Sequence, residues 1–123
     1  MRVVIMENTL ENLRILTECI HALLPHALVK GFTDGDKATA WCNQHSSEVE
    51  LFFGNWWGIF EEYQSPEGSA VLHNVIWKQK PKAILIGDEE RFRKWSLKNG
   101  ADGFLLRPAT VPKLRDLLEI IDI

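Results

Sequence analysis

The 123-residue chain lacks several features that mark common protein classes. It has no run of about 18 consecutive apolar residues, so we expect no membrane-spanning helix. Its two cysteines, Cys19 and Cys42, lie far apart in helical patterns, which indicates two buried thiols in a reducing cytoplasm rather than a disulfide framework. The net charge of −3 argues against a nucleic-acid-binding domain, which is usually basic. The sequence therefore predicts a cytoplasmic domain that neither spans a membrane nor binds nucleic acid.

Motifs of several enzyme and metal-binding classes are also missing. There is no glycine-rich phosphate loop and no Gly-x-Ser-x-Gly nucleophile elbow. The four histidines do not have the spacing of metal ligands, and the apolar stretch at the N-terminus is too short for a signal peptide. Any function must therefore be inferred from the fold and from the residues that the fold brings together.

The apolar residues form short runs that alternate with amphipathic helical patterns. The runs predict strands, and the helical patterns between them carry apolar residues at spacings of three and four. This arrangement, β-α repeated five times in a single domain over residues 1–123, predicts a parallel sheet with helices on both faces. The predicted strands are Arg2–Glu7, Ala27–Phe32, Leu51–Phe53, Ala83–Ile86 and Phe104–Leu106.

Each helical pattern begins with a residue that can accept hydrogen bonds from the first turn of a helix. Asn8, with Glu11 three residues later, has the spacing of a capping box. Asp88 can cap the fourth helix, although its carboxylate could instead lie near a pocket. The other predicted caps are Asp34, Ser65 and Thr110.

Parallel sheets of this kind bind ligands at the carboxyl ends of their strands, where the strand order reverses. In this sequence those ends carry polar or charged residues together with one glycine. We therefore expect the candidate site to be built from Glu7, Asn8, Asn55, Gly87, Asp88 and Arg107.

Three segments, in this order and at this spacing, carry a resemblance to a known family. They are Arg2–Asn8, Phe32–Gly35 and the segment Asn99–Pro108, which reads NGADGFLLRP. The chain resembles the receiver domains of two-component response regulators over nearly its whole length. The resemblance implies a flavodoxin-like, doubly wound (βα)5 fold with five parallel strands in the order 2-1-3-4-5.

The resemblance also assigns positions in the receiver active site. In receivers, an acidic pair after the first strand and an acceptor aspartate after the third hold Mg²⁺. A hydroxyl after the fourth strand and a lysine after the fifth contact the phosphoryl group, and an aromatic residue in the fifth strand acts as a switch. The resemblance places Glu7 and Asn8 at the acidic pair, Asn55 at the acceptor and Gly87 at the hydroxyl position. It places Arg107 at the lysine position and Phe104 at the switch. Pro108 follows Arg107, and the corresponding peptide bond is cis in receivers.

Most of these positions depart from the receiver pattern. The amide of Asn55 is a far poorer nucleophile than a carboxylate. Among the three metal-side positions only Glu7 remains charged. Each negative charge lost near a cation costs roughly 4 kcal/mol at 4 Å and an effective dielectric near 20. Gly87 has no hydroxyl, and Arg107 carries a planar fork rather than a compact ammonium. We therefore expect a degenerate, pseudo-receiver variant that takes no phosphoryl group and binds Mg²⁺ weakly or not at all.

The segment after the third strand is another departure, since Asn55 to Gly68 is roughly five residues longer than in receivers, an excess that often marks a functional loop. It is rich in aromatic residues. These side chains could close over the crevice as a lid, form a patch for a partner, or simply pack onto neighbouring helices. The residues of this predicted interaction loop are Trp56, Trp57, Phe60 and Tyr63.

Together these features predict a non-enzymatic signalling module that acts by protein–protein contact and needs no cofactor. A histidine kinase or an effector domain would be its partner, and the fourth-helix, fifth-strand and fifth-helix face could form a homodimer. The chain could also be the N-terminal regulatory domain of a longer regulator. Two alternatives stay open: a working phospho-receiver with atypical residues, and a small-molecule or anion sensor in which Arg107 binds the ligand.

Overall fold

The protein folds around one five-stranded sheet, in a computed structural model that describes residues 1–45, 47–55, 81–98 and 100–123, with the backbone alone at residue 55. The strands are β1 (Arg2–Met6), β2 (Leu28–Phe32), β3 (Leu51–Asn55), β4 (Lys82–Gly87) and β5 (Gly103–Leu106). The helices in the described ranges are α1 (Leu10–Leu23), α2 (Gly35–Gln44), α3 (Phe92–Lys98) and α4 (Val111–Ile120). The helix predicted from Ser65 and the loop residues Trp56, Trp57, Phe60 and Tyr63 lie outside the described residues.

The strands pair in the order β2-β1-β3-β4-β5, and every pair is parallel. This order confirms the predicted sheet. The chain moves outward from β1 to β2 and then crosses back to β3 on the other side of β1, so the order reverses between β1 and β3. In an open parallel sheet, this reversal leaves a crevice beyond the carboxyl ends of the strands.

The core lies on both faces of the sheet because successive side chains of a strand point to opposite sides. Val3 and Ile5 pack in the cluster that includes buried residues of α1 and α4. Val4 and Met6 pack in the opposite cluster, which includes buried residues of α2 and the half-buried Phe92 of α3. The sheet is therefore covered by helices on both faces, as the strand–helix alternation predicted.

The capping residues confirm two of the five predicted helix starts. Thr110 caps α4 by accepting from the Lys113 amide, and Asp34 caps α2. The prediction of Asn8 as the cap of α1 was wrong: Thr9 holds that position and accepts from the Asn12 backbone N–H. The side-chain oxygen of Asn8 instead accepts from the Asn12 side chain at 3.0 Å, one position too early to cap the helix.

The start of α3 also differs from the prediction. Asp88 does not cap this helix, which begins four residues later at Phe92. A turn fills the interval, with the Phe92 amide donating to the carbonyl oxygen of Glu89 at 3.2 Å. The Asp88 carboxylate is thereby left available for a different contact at the end of the sheet.

Local contacts and backbone geometry explain the residue types at positions 100–103, within the segment NGADGFLLRP that carries part of the resemblance. Gly100 has φ of 102°, a conformation that side chains rarely adopt. The Asp102 carboxylate accepts from the Ala83 amide at 2.8 Å, while the Asp102 amide donates to the Ala83 carbonyl. At Gly103, an added Cβ would lie 2.6 Å from Leu117 Cδ1, so the glycine permits α4 to pack closely on β5.

Both cysteines are buried and free, as the sequence predicted. Burial raises the pKa of the Cys42 thiol to about 11. Burial, followed by the charge of Glu18, also raises the pKa of Cys19. No helix in the described part of the chain is both long and apolar enough to cross a bilayer.

The core predicts a clear contrast between two aliphatic residues of α4. Leu114 is fully buried, whereas Ile120 is 78% exposed. We expect Leu114→Ala to lower the free energy of unfolding by roughly 2–5 kcal/mol, because it removes buried methyl groups and leaves a cavity. Ile120→Ala serves as the matched control and should change stability by no more than about 0.5 kcal/mol. Urea denaturation measures both, and equal losses would contradict the packing described for α4.

Candidate functional site

The carboxyl ends of four parallel strands meet at one edge of the sheet. Glu7 directly follows β1, Gly87 ends β4, and Arg107 directly follows β5. Asn55 ends β3, where its backbone pairs with Ile86 of β4. The positions predicted from the sequence therefore share one crevice, although the structure describes Asn55 only through its backbone.

A buried ion pair between Glu7 and Arg107 dominates this crevice. Arg107 Nη2 donates to Glu7 Oε1 at 2.5 Å, and Arg107 Nε donates to Glu7 Oε2 at 3.1 Å. The Glu7 side chain is 3% exposed and that of Arg107 is 10% exposed. The planar fork of arginine matches the two carboxylate oxygens, which is the favoured geometry for such a pair. The contact joins residues 100 positions apart, across the central part of the sheet.

Asp88 contacts the opposite side of the same guanidinium. Arg107 Nη1 lies 3.1 Å from Asp88 Oδ1, and the Asp88 side chain is 71% exposed. Arg107 thus bridges one buried carboxylate directly after β1 and one exposed carboxylate on the connection after β4. Because solvent screens exposed pairs, the contact with Glu7 is the stronger anchor of the two.

The charge of Arg107 is secured by these partners. Burial on its own would lower the pKa of the guanidinium, but the hydrogen bonds and charge of Glu7, and then those of Asp88, more than offset it. The pKa of Arg107 therefore lies above its ordinary value, and the crevice contains a permanent side-chain cation.

The backbone around Arg107 is held in place from two directions. Its amide donates to the Gly87 carbonyl at 2.8 Å, which extends the pairing of β4 and β5. The Nζ of Lys113 donates to the carbonyl oxygens of Leu106 and Pro108, at 3.3 and 3.1 Å. The Arg107–Pro108 peptide bond is cis, as the resemblance implied. Lys113 therefore secures the residues on both sides of the arginine.

The donor set does not fit the Mg²⁺ ion that the resemblance implies for a receiver. Magnesium requires near-octahedral coordination by oxygen atoms, with carboxylates among them. Both Glu7 oxygens accept hydrogen bonds from Arg107, and Oε1 also accepts from the Asn8 amide at 2.8 Å. Among the described residues, no group of three or more His, Cys, Asp or Glu is placed to bind a metal. A divalent ion would have to displace the arginine from its buried partner.

Phe104, the predicted switch position, is 2% exposed and belongs to the core on the α2 and α3 side of the sheet. The Arg93 guanidinium lies 5.3 Å from its ring centroid and donates to its carbonyl oxygen at 3.3 Å. Glu90 forms an ion pair with Arg93 in turn. Arg93 of α3 therefore contacts both the side chain and the backbone of Phe104 in β5.

A groove of about 260 Å³ lies on the face formed by α3, β5 and α4. These helices correspond to the fourth and fifth helices predicted from the sequence. Exposed Ile120 lines the groove together with Leu117 of α4, and it also contains the charged residues Lys113 and Asp116. The face therefore combines exposed apolar surface with charges of both signs.

One contributor to the site was missed from the sequence, and another was named without its partner. Asp88 was expected either at the site or as a helix cap, and the structure gives it an ion pair with Arg107. Lys113 was not noted as a site residue, since a lysine in the first turn of a helix usually lies in solvent. Lys113 lies six positions after Arg107, and this spacing was the available sequence signal for its contact with the backbone around Arg107.

The buried pair predicts a large difference between two arginine substitutions. Arg107→Gln should lower the free energy of unfolding by roughly 3 kcal/mol, because it leaves the buried Glu7 carboxylate without its cation. Arg14 pairs with Glu18 at 3.0 Å with both side chains mostly exposed, so Arg14→Gln is the matched control. The control should change stability by about 0.5 kcal/mol or less. Urea denaturation at neutral pH distinguishes them, and similar values for both would refute the assignment of a strong buried pair.

Comparison with known proteins supports the fold through structure rather than sequence. No protein-family model matches the chain. No curated protein matches it either. Solved structures, by contrast, match along nearly the whole chain.

Three of these structures illustrate the similarity. A chain of the CheX–CheY–BeF3–Mg²⁺ complex from Borrelia burgdorferi is 17% identical, with a TM-score of 0.76 over 99% of this chain and 89% of that chain. A response regulator receiver protein from Burkholderia phymatum is 17% identical, with a TM-score of 0.75 over 99% and 95%. The signal receiver domain of the putative response regulator NarL from Mycobacterium tuberculosis is 22% identical, with a TM-score of 0.68 over 98% and 95%. The chain has the fold of response regulator receiver domains.

Proposed function

We propose that residues 1–123 form a single receiver-like domain that signals by protein–protein contact, without phosphorylation and without enzymatic activity. In this proposal Asn55 stands at the acceptor position, Glu7 and Asn8 at the acidic pair, Gly87 at the hydroxyl and Arg107 at the lysine. The module belongs to the response-regulator type, but its usual chemistry has been lost.

The bidentate contact between Arg107 and Glu7 is the observation that carries this proposal. Phosphoryl transfer to a receiver requires a carboxylate nucleophile and a divalent ion that neutralises the transferring oxygens. The sequence supplies an amide at position 55, and the remaining buried carboxylate already has an arginine as its counter-ion. Both requirements are therefore unmet, for different physical reasons.

The same contact argues against the two alternatives. An anion sensor would need Arg107 to offer its charge to a ligand, yet three of its five N–H groups already face carboxylate oxygens, and two carboxylates share its single positive charge. A working receiver would need the arginine to leave Glu7 before a metal could bind. Neither alternative has an observation of its own in the described residues, so the signalling module remains the better proposal.

The α3–β5–α4 face is the proposed contact surface, and a second copy of the chain is its proposed partner there. A twofold contact requires a patch that is complementary to itself, and this groove is lined by apolar Ile120 together with the oppositely charged Lys113 and Asp116. A histidine kinase or an effector domain remains the expected partner in a signalling pathway.

Intact-mass spectrometry tests the absence of phosphorylation. The protein is incubated with acetyl phosphate and Mg²⁺, with a functional receiver domain in the same tube as a positive control for the reagent. We expect the control to gain about 80 Da per phosphoryl group and this chain to remain unmodified, because an amide does not form the acyl phosphate. A stoichiometric adduct of that mass on this chain would refute the proposal.

Asn55→Asp is the informative variant for the same experiment. It restores the carboxylate nucleophile while the Arg107–Glu7 pair stays in place. We expect the variant to be modified at least tenfold more slowly than the control receiver, because no site for a divalent ion has been restored. Modification at the rate of the control would show that the amide alone accounts for the loss.

Sedimentation velocity tests the proposed contact between copies. Dimerisation through the α3–β5–α4 face should produce a concentration-dependent shift towards twice the monomer mass. Ile120→Glu should abolish this shift by burying a charge in the interface, whereas Leu10→Glu, an equally exposed apolar site on α1, should leave it unchanged. A monomer at all concentrations, or equal behaviour of both variants, would contradict this interface.

A further inference from the structure

We propose that Arg107 is a resident cation of the crevice, which takes the place of a dissociable metal ion and fixes the connection between β4 and α3 in one conformation. The inference rests on the proposed function and adds that contacts within the chain, rather than a bound ligand, hold the module in one conformation. It assigns Arg107 and Asp88 a positioning role, with no bound ligand needed.

The position of the guanidinium supports the first part of this inference. It lies between a carboxylate at the end of β1 and another just after β4, and it contacts each of them with separate nitrogen atoms. A divalent ion in this place would pair with the same two groups. The arginine offsets one of their two charges, and because it belongs to the chain its local concentration never falls and the pairing is permanent.

The contacts of residues 88–93 support the second part. At the start of this connection, Asp88 pairs with Arg107, which directly follows β5. Directly after the connection, in the first turn of α3, Arg93 contacts both the ring and the carbonyl oxygen of Phe104 in β5, and Glu90 pairs with its guanidinium. The connection is therefore held at both ends, by Arg107 in the crevice and through Arg93 on the α3–β5–α4 face.

This arrangement links the crevice to the proposed contact surface. Phe104 and Arg93 line the groove on that face, and Arg107 lies three residues after Phe104 along the chain. In a module that responds to a ligand, such a connection would have two arrangements, and the ligand would shift the balance between them. Here side chains of the protein itself hold one arrangement, so the surface is presented continuously.

Hydrogen exchange of the full chain tests the positioning role. Asp88→Asn removes the charge that pairs with Arg107, and Asp36→Asn makes the same change at an exposed position on α2, away from the groove. We expect amides of residues 89–93 to exchange about fivefold faster in Asp88→Asn, the loss expected of an exposed pair, and at the wild-type rate in Asp36→Asn. Unchanged exchange in Asp88→Asn would overturn the positioning role.

Thermal unfolding with and without 10 mM MgCl2, at constant ionic strength, tests the resident cation. The wild-type midpoint should not move. Arg107→Gln should be destabilised, and Mg²⁺ should raise its midpoint by about 5 °C, as expected for a newly opened site with a dissociation constant near 1 mM. In Glu7→Gln/Arg107→Gln the response to Mg²⁺ should disappear, since the buried carboxylate is gone.

The outcomes separate this inference from the proposed function. Phosphorylation of the wild-type chain would refute the proposed function directly. A wild-type midpoint that rises with Mg²⁺, or an Arg107→Gln midpoint that does not, would overturn the resident cation while leaving the absence of phosphorylation intact. If Arg107→Gln does not fold, the wild-type response to Mg²⁺ still tests the resident cation, and hydrogen exchange of Asp88→Asn still tests the positioning role.

Discussion

The contact between Glu7 and Arg107 is the constraint on which the candidate site depends. A carboxylate in so closed a position is costly unless a cation accompanies it. In this chain the cation is a side chain that follows β5, and the fork of arginine satisfies both oxygens at once. The neighbouring features, including the pairing of Arg107 with the end of β4 and the lysine that holds its flanking carbonyls, serve to keep that guanidinium in place.

The fold explains how two residues so distant in the chain come together. Parallel strands bring all their carboxyl ends to one edge, and the reversal of strand order at β1 and β3 opens a crevice there. A receiver fold can use this edge for phosphoryl chemistry, yet the fold does not dictate that use. The side chains at the edge decide it, and here an arginine pairs with two carboxylates.

Much of the architecture was predictable from the sequence because local signals were strong. The apolar runs gave all five strands, and Thr110 and Asp34 were identified as caps from residue type and position. The errors came where two neighbouring residues could play the same local role, as with Asn8 and Thr9. The two roles left open for Asp88, helix cap or site carboxylate, could not be separated because its partner lies 19 positions away, and no local pattern reveals such a contact.

The candidate site was predictable in its location but not in its internal contacts. The resemblance to receivers named the positions at the strand ends, and the departures at Asn55 and Gly87 could be read directly from residue type. That Arg107 would bind Glu7 required the three-dimensional arrangement, since the sequence alone left it open whether the guanidinium faced a ligand or a carboxylate. Contacts between residues on distant strands, such as Arg107 and Glu7, therefore could not be predicted from residue type and spacing alone.

The arginine bridge also bears on how this domain can change during evolution. A carboxylate at position 55 would leave the guanidinium paired with Glu7, and replacing the arginine alone would leave a buried charge without its partner. Any new use of these positions would therefore need both substitutions together, so the pair restricts the single substitutions that the crevice can accept.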